Sequence, residues 1–500
     1  MEIKVISKDL TEYKCDAVIV NLFEGVKTPG GSTGAADKAL GGLISSLIKE
    51  GEITGKLGET RIIHAQGKIS AERILVAGLG KQEDFNYDKI RQVSASSAKA
   101  LRNVGAKKIA TIVHGAGIGG MDPKISAQAL AEGAILGLYR FRKYLSEKPE
   151  EKDIEEITIL EKDEKKVPEI NEGVKQGTIL ANATNDTRDL VNEPANNLTP
   201  TKLAEIAKKI AKDFNLEYHD LNKDKMWELG MGALLSVAQG SDEPPQLVVL
   251  RYSGAESEEK AVGLIGKGIT FDSGGISLKP SQGMGEMKTD MAGAAVVLSA
   301  IKAIAQLKPK INVCAVIPCL ENMPSGKASR PGDVVKAMNG KTIEIITTDA
   351  EGRMILADAI CYAKKLGLSP IIDIATLTGA VSIALGKSIT AILGNDKKLV
   401  SDIIKAGEDT GEKFWELPLF EEYKELLKSD IADLKNTGNG TAGVITGALF
   451  IGSFAEKTPW VHLDIGGTAR KESESPYITK GATGATTRSL VDLILTMAQK

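Results

Sequence analysis

Two carboxylates and a guanidinium stand close together in the stretch Ile345-Ile-Thr-Thr-Asp-Ala-Glu-Gly-Arg-Met-Ile-Leu-Ala-Asp358. Asp349, Glu351 and Arg353 follow an apolar run, Ile343 to Ile346, that reads as a strand. They precede a helical pattern whose apolar face is Met354, Leu356, Ala357 and Ile360. In an open α/β sheet, ligands sit beyond the carboxyl ends of strands. On extended backbone, residues two apart point the same way, so Asp349 and Glu351 repel unless a positive charge lies between them. A metal ion supplies it. For this stretch alone the alternative is a helix N-terminus, where the dipole favours acidic residues.

A second polar cluster, Gly266-Lys-Gly-Ile-Thr-Phe-Asp-Ser-Gly-Gly-Ile-Ser-Leu-Lys-Pro280, follows the strongest apolar strand of the second half. Lys267, Asp272 and Lys279 sit there among glycines, which let backbone approach a ligand closely. Asp290 comes next, ahead of a helix at Ala292; taken alone it reads as an N-cap, and the lysines as surface residues. Three acidic strand-end loops in one α/β region point instead to a shared site. Hard divalent cations take oxygen ligands, and zinc accepts them too. His64, His114, His219 and His462 are far apart in sequence, which argues against a His-rich zinc site. The pattern fits two metals bridged by carboxylates, joined by a lysine only if its amine is deprotonated.

The elements that must position these groups alternate between strand and helix along the whole chain. Residues 1–163 read as a smaller α/β domain with a mostly parallel sheet, 164–192 as a helical linker, and 193–500 as a larger α/β/α domain. Strands are expected at Asp16–Asn21, Arg61–His64, Arg73–Gly78, Lys108–His114 and Ile157–Leu160, with helices at Asp88–Val104 and Ser126–Leu145. The later strands are Gln246–Tyr252, Ala261–Gly266, Ile311–Ile317, Ile343–Ile346, Ile371–Ala375 and Thr390–Leu393. Gly78-Leu-Gly80-Lys81 follows a strand like a phosphate-binding turn but lacks the third glycine of the dinucleotide fingerprint.

An apolar share of 42% and a charged share of 26% are those of a soluble globular protein. A net charge of −3 argues against general nucleic-acid binding, and no uninterrupted apolar run has the length of a membrane span. Met1 to Ile6 reads as a strand rather than a signal peptide. The four cysteines are too scattered for a disulfide framework, so the expected location is the cytoplasm.

The chain resembles the leucine (cytosol) aminopeptidases, dinuclear-metal enzymes. The matching stretches are Arg188–Pro194, Gly266–Gly275, Met287–Met291, Glu321–Gly326, Arg330–Val334, Thr348–Arg353 and Ala375–Gly379. They span nearly all of the second domain, in the family's order and spacing. Thr347 stands where the family usually has Asn, and Ala292 where it usually has Gly.

The resemblance implies that Asp272 and Glu351 bridge two ions, either Zn2+ or Mn2+, with Mg2+ or Co2+ as other occupants. Lys267 and Asp290 would complete the tight site, and Asp349 the exchangeable one, by its side chain and its own carbonyl. Lys279 and Arg353 would be the catalytic pair. Arg353, with backbone near Leu377, would hold a bicarbonate that serves as general base. Met287, Thr376, Gly379 and Ala380 would receive the N-terminal side chain of a peptide with a free N-terminus, Leu-like residues being preferred. A homohexamer is implied as well. The competing expectation is a DNA-binding regulator using the N-terminal domain, as in some bacterial members; here Lys and Arg cluster only at Lys107–Lys108 and at Arg140, Arg142 and Lys143.

Overall fold

A computed structural model describes residues 1–499 except 118, 148–151 and 257–258; part of the charge-rich segment 147–166 therefore lies outside the described residues. The chain divides into two compact units, Met1–Asn182 with Ser473–Thr479, and Ala183–Glu472 with Lys480–Lys500. One helix, Val167–Asn192, occupies the segment expected to be a helical linker.

The N-terminal unit holds a six-stranded sheet in the order Glu2–Ser7, Glu156–Glu161, Lys108–Thr111, Ala17–Leu22, Arg73–Gly78, Thr60–His64. The first five strands are parallel and the last is antiparallel. Helices Tyr87–Asn103 and Pro123–Leu138 begin at side-chain caps, Asn86 accepting from Lys89 N and Asp122 from Ile125 N. They pack closely because Gly133 and Gly137 carry no side chain; a Cβ on Gly133 would stand 2.2 Å from the Arg91 carbonyl oxygen. The second helix ends at Leu138, seven residues before the expected end at Leu145, and Tyr139 is already extended.

The second unit holds a nine-stranded mixed sheet. Its path runs Phe414–Glu416, Thr390–Gly394, Trp460–Asp464, Ile371–Ala375, Val262–Gly266, Asn312–Asn322, Gln246–Ser253, Glu217–Leu221, and Gly268–Asp272 pairs beside Asn312–Asn322. The central strands are parallel. Leu247, Val249, Ile265, Cys314 and Val316 join one core with helices Gly232–Ala238, Glu351–Lys365 and Gly443–Ala455. Gly266, next after Ile265 and so on the opposite face, lets helix Ala292–Leu307 approach: its Cβ would lie 2.5 Å from Gly293 O. This is the expected helix–sheet–helix layering.

The run Met284–Leu307 is apolar and long enough to cross a membrane by length and composition, but its most apolar window is 83% buried within the fold. It is a core helix.

Two expectations need correction. Thr342–Glu344 is a strand, but of a separate three-stranded sheet with Val334–Lys336 and Leu434–Lys435, not of the main sheet. Asp349 and Glu351 also do not share extended backbone: Glu351 is the first residue of a helix. That helix, seated on the main sheet, delivers Glu351. The main-sheet strands not read from the sequence are Glu217–Leu221, Gly268–Asp272, Phe414–Glu416 and Trp460–Asp464, the last fully buried. The polar letters of this last strand hid it, yet two of its side chains meet one carboxylate of the neighbouring strand: Asp373 accepts from Trp460 Nε1 at 2.6 Å and pairs with His462 Nδ1 at 2.6 Å.

Candidate metal centre

Every charged group named from the second cluster arrives at the carboxyl ends of the central strands. Lys267 follows Val262–Gly266, Asp272 ends Gly268–Asp272, Asp290 precedes helix Ala292–Leu307, and Thr376 follows Ile371–Ala375. Asp272, Asp290 and Glu351 are buried, and one carboxylate oxygen from each lies within 4.8 Å of the others. Asp349 stands one step outside this trio, in contact with Lys279.

Lys267 is 2% exposed. Its Nζ donates to Asp290 Oδ1 at 2.8 Å, Glu351 Oε1 at 2.9 Å and the Thr376 carbonyl at 2.9 Å. Lys279 Nζ lies 2.8 Å from Asp272 Oδ2 and also contacts Asp349 Oδ1. Asp272 Oδ1 accepts from Gly274 N at 2.9 Å and Asn322 Nδ2 at 2.8 Å. Thr376 Oγ1 donates to Asp290 Oδ1 at 2.7 Å. Asp290 therefore turns to the cluster rather than capping its helix, whose first turn has no side-chain cap.

The electrostatics ask for more positive charge than the chain provides. Four carboxylates face two ammoniums. Burial, then the neighbouring carboxylates Asp272 and Glu351, push Asp290 well above the usual carboxylate range despite Lys267. Burial and Asp272 raise Glu351 likewise. Burial opposes the charge on Lys267, but Asp290, Glu351 and Asp272 outweigh it and raise the ammonium's pKa. Asp290 Oδ2 lies 2.8 Å from Lys267 Nζ but makes no hydrogen bond, and Glu351 Oε2 has no partner. A buried carboxylate oxygen with no donor, as Glu351 Oε2 is, is costly unless a cation meets it. The donor set, mostly oxygens with one amine, suits divalent ions.

Arg353 is buried, donates from Nη1 to Asn436 O at 2.8 Å, and is lowered by burial to a pKa of about 10, still cationic at neutral pH. The Leu377 amide donates to Asp464 Oδ1 at 3.2 Å. A Cβ on Gly447 would meet both Leu377 Cδ2 and Arg353 Nη2, at 3.0 and 3.3 Å, so these two side chains border one spot. Met287 and Ala380 are half-buried and Gly379 is exposed.

Sequence reasoning missed Asn322, Thr348 and Asp464. Asn322 Nδ2 ties Asp272 to the Thr348 carbonyl, which it reaches at 3.0 Å. Thr348 Oγ1 accepts from Ser277 N and donates to Gly274 O. The signal was available, since Asn322 and Thr348 lie inside two of the matched motifs.

Gly352 explains an otherwise unfavourable glycine in the first turn of a helix. A Cβ there would lie 2.7 Å from Lys267 Cε and Nζ, and the amine, held by three acceptors, has no room to give. Gly352→Ala is expected to weaken metal binding by about ten- to a hundredfold, as displacing a supporting group does. A metal titration checks it; wild-type affinity would mean that Lys267 takes no part in holding metal.

The model of the cytosol aminopeptidase family catalytic domain matches residues 185–491, and that of the family's N-terminal domain residues 19–148. A probable cytosol aminopeptidase of Alkaliphilus metalliredigens is 46% identical, covering 99% of this chain and 100% of its own. The chain belongs to the cytosol aminopeptidase family. The cytosol aminopeptidase of Pseudomonas aeruginosa is 42% identical over the full length of both chains. Among solved structures, a mutant tomato leucine aminopeptidase superposes with a TM-score of 0.88 at 34% identity, covering 99% of this chain and 96% of its own. The bottromycin maturation enzyme BotP in complex with Mn gives 0.86 at 33%, covering 97% and 100%. A cytosol aminopeptidase family member with this buried acidic centre is a metal-dependent aminopeptidase, a hydrolase acting on peptides. The competing DNA-binding reading gains no observation.

Proposed function

We propose that this aminopeptidase removes N-terminal residues, Leu-like ones preferentially, using two divalent cations per chain. The observation that carries this reading is the buried Asp272–Asp290–Glu351 trio, in which Glu351 Oε2 has no hydrogen-bond partner. Asp272, Glu351, Asp290, Asp349 and Lys267, the last as a neutral amine, would hold the pair. When bound, the cations supply Lewis acidity for activating water and polarising the scissile carbonyl. Mn2+ or Zn2+ is the favoured occupant; the Mn complex of a structural relative supports the first.

Lys279 donates to the carbonyl oxygen as negative charge develops there. Its ammonium is aimed by Asp272 and Asp349. Arg353, whose guanidinium borders one spot with Leu377, would hold a small anion, bicarbonate, which would supply a proton acceptor. For the Leu377 amide to share in this, it must leave Asp464. Met287, Thr376, Gly379 and Ala380 line the pocket for the N-terminal side chain. The catalytic domain spans 193–500 after a linker at 164–192, and the working form is a cytoplasmic homohexamer.

A panel of aminoacyl amides tests the reading. Leucine amide is hydrolysed and its N-acetylated form is not, and chelation abolishes turnover. Hydrolysis of the blocked amide at a comparable rate would rule out exopeptidase action.

A further inference from the structure

A cleft of about 320 Å³ opens within the N-terminal unit and is lined wholly by that unit's residues. Its position follows from topology. Ala17–Leu22 has Arg73–Gly78 on one side and Lys108–Thr111 on the other. The chain leaves the first strand toward Arg73–Gly78, then crosses back to Lys108–Thr111, so strand order reverses there. In open α/β sheets, such a reversal leaves a crevice beyond the carboxyl ends of the two diverging strands, where ligands bind. Asn21 to Phe23, at the end of the first, and Ile112, Val113 and Gly115 to Gly117, beyond the end of the second, line the cleft. Leu79, from the glycine turn that resembles a phosphate loop, lines it too.

The lining has two characters. One part is apolar, with Phe23 held edge-on to Phe85 at 5.1 Å between ring centroids. The other is cationic. Lys8, Lys162 and Lys166 face the cleft with a single carboxylate, Glu161, which already accepts from Asp163 N at 2.9 Å. Lys162 is paired with Asp9 at 2.7 Å. Helix Gly31–Ala39 opens into the cleft through Gly30 to Thr33, with no side-chain cap and no acidic residue in its first turn. Asn21, which lines the cleft, donates from Nδ2 to Nδ1 of buried His114 at 2.9 Å; burial holds His114 near a pKa of about 4, hence neutral, so it can accept and fix the Asn21 amide. The volume lies at the lower end of small-molecule sites.

We propose that this cleft binds a phosphorylated small molecule of mononucleotide size, its phosphate at the first turn of Gly31–Ala39 and its apolar ring against the wall containing Phe23. The site is separate from the peptidase chemistry and does not depend on it.

Titration calorimetry on the full-length, metal-loaded protein tests this with adenosine monophosphate, inorganic phosphate and adenosine as probes. The monophosphate binds saturably, more tightly than either fragment. Ser32→Glu places a carboxylate where a helix tolerates it well but where it repels phosphate, and weakens binding at least about tenfold. Lys8→Glu with Lys166→Glu weakens it in the same direction. Leucine amide hydrolysis and the melting temperature stay at wild-type values in both. Absence of saturable binding by wild type overturns the proposal. So does binding that Ser32→Glu leaves unchanged, which would place the phosphate at the metal centre, and so does phosphate alone binding as tightly as the monophosphate.

Discussion

Asp272→Ala is expected to lose bound metal and with it about a thousandfold or more of kcat. Metal ions contribute several kcal/mol of transition-state stabilisation, and each ~1.4 kcal/mol is tenfold in rate. Asp272 has much to lose because three donors converge on its carboxylate. Oδ1 takes the Gly274 and Asn322 donors, and Oδ2 takes Lys279. Alanine would leave those donors without an acceptor, so folding must be separated from function. Asp272→Asn does this, since its carbonyl still accepts from Gly274 and Asn322 while its amide cannot ligate a cation. Both variants are expected to fail alike in turnover, measured on leucine amide, with the asparagine variant melting close to wild type. Wild-type turnover in a folded Asp272→Asn protein would remove Asp272 from the centre.

Lys279→Met is expected to lower kcat by roughly a hundred- to a thousandfold, the usual cost of removing one donor to a developing oxyanion, while metal stays bound. The sign of the metal effect comes from charge. The Lys279 ammonium contacts both Asp272 and Asp349. Removing a cation from between two carboxylates leaves them more attractive to another cation, so affinity is unchanged or tighter. Steady-state kinetics beside a metal titration separates the outcomes. Loss of both ions with the fold intact would assign Lys279 to metal binding instead.

Much of this centre was legible in the sequence. Glycines beside Lys267, Asp272 and Lys279 marked loops after apolar strands, and the structure brings Lys267, Asp272, Asp290 and Glu351 into one buried cluster. What was not legible has physical causes. Glu351 was placed by an argument from extended backbone, whereas a helix carries it; a three-residue strand in a side sheet looks, as letters, like one of the main sheet. Trp460–Asp464 was invisible because His462 and Asp464 read as surface residues; their burial is supported by distant partners, Asp373 on the next strand for His462, and Leu377 N and Thr378 Oγ1 for Asp464. The hydroxyl and carbonyl of Thr376 also hold Asp290 and Lys267, a role its letter did not show. Contacts across some ninety residues of chain leave no local pattern.

The most direct test counts ions. After equilibration with Mn2+ and removal of unbound metal, elemental analysis is expected to find two ions per wild-type chain and at most one in folded Asp272→Asn. A single ion in the wild-type chain, or the same metal content in both proteins, would contradict a paired centre built on Asp272, Asp290 and Glu351.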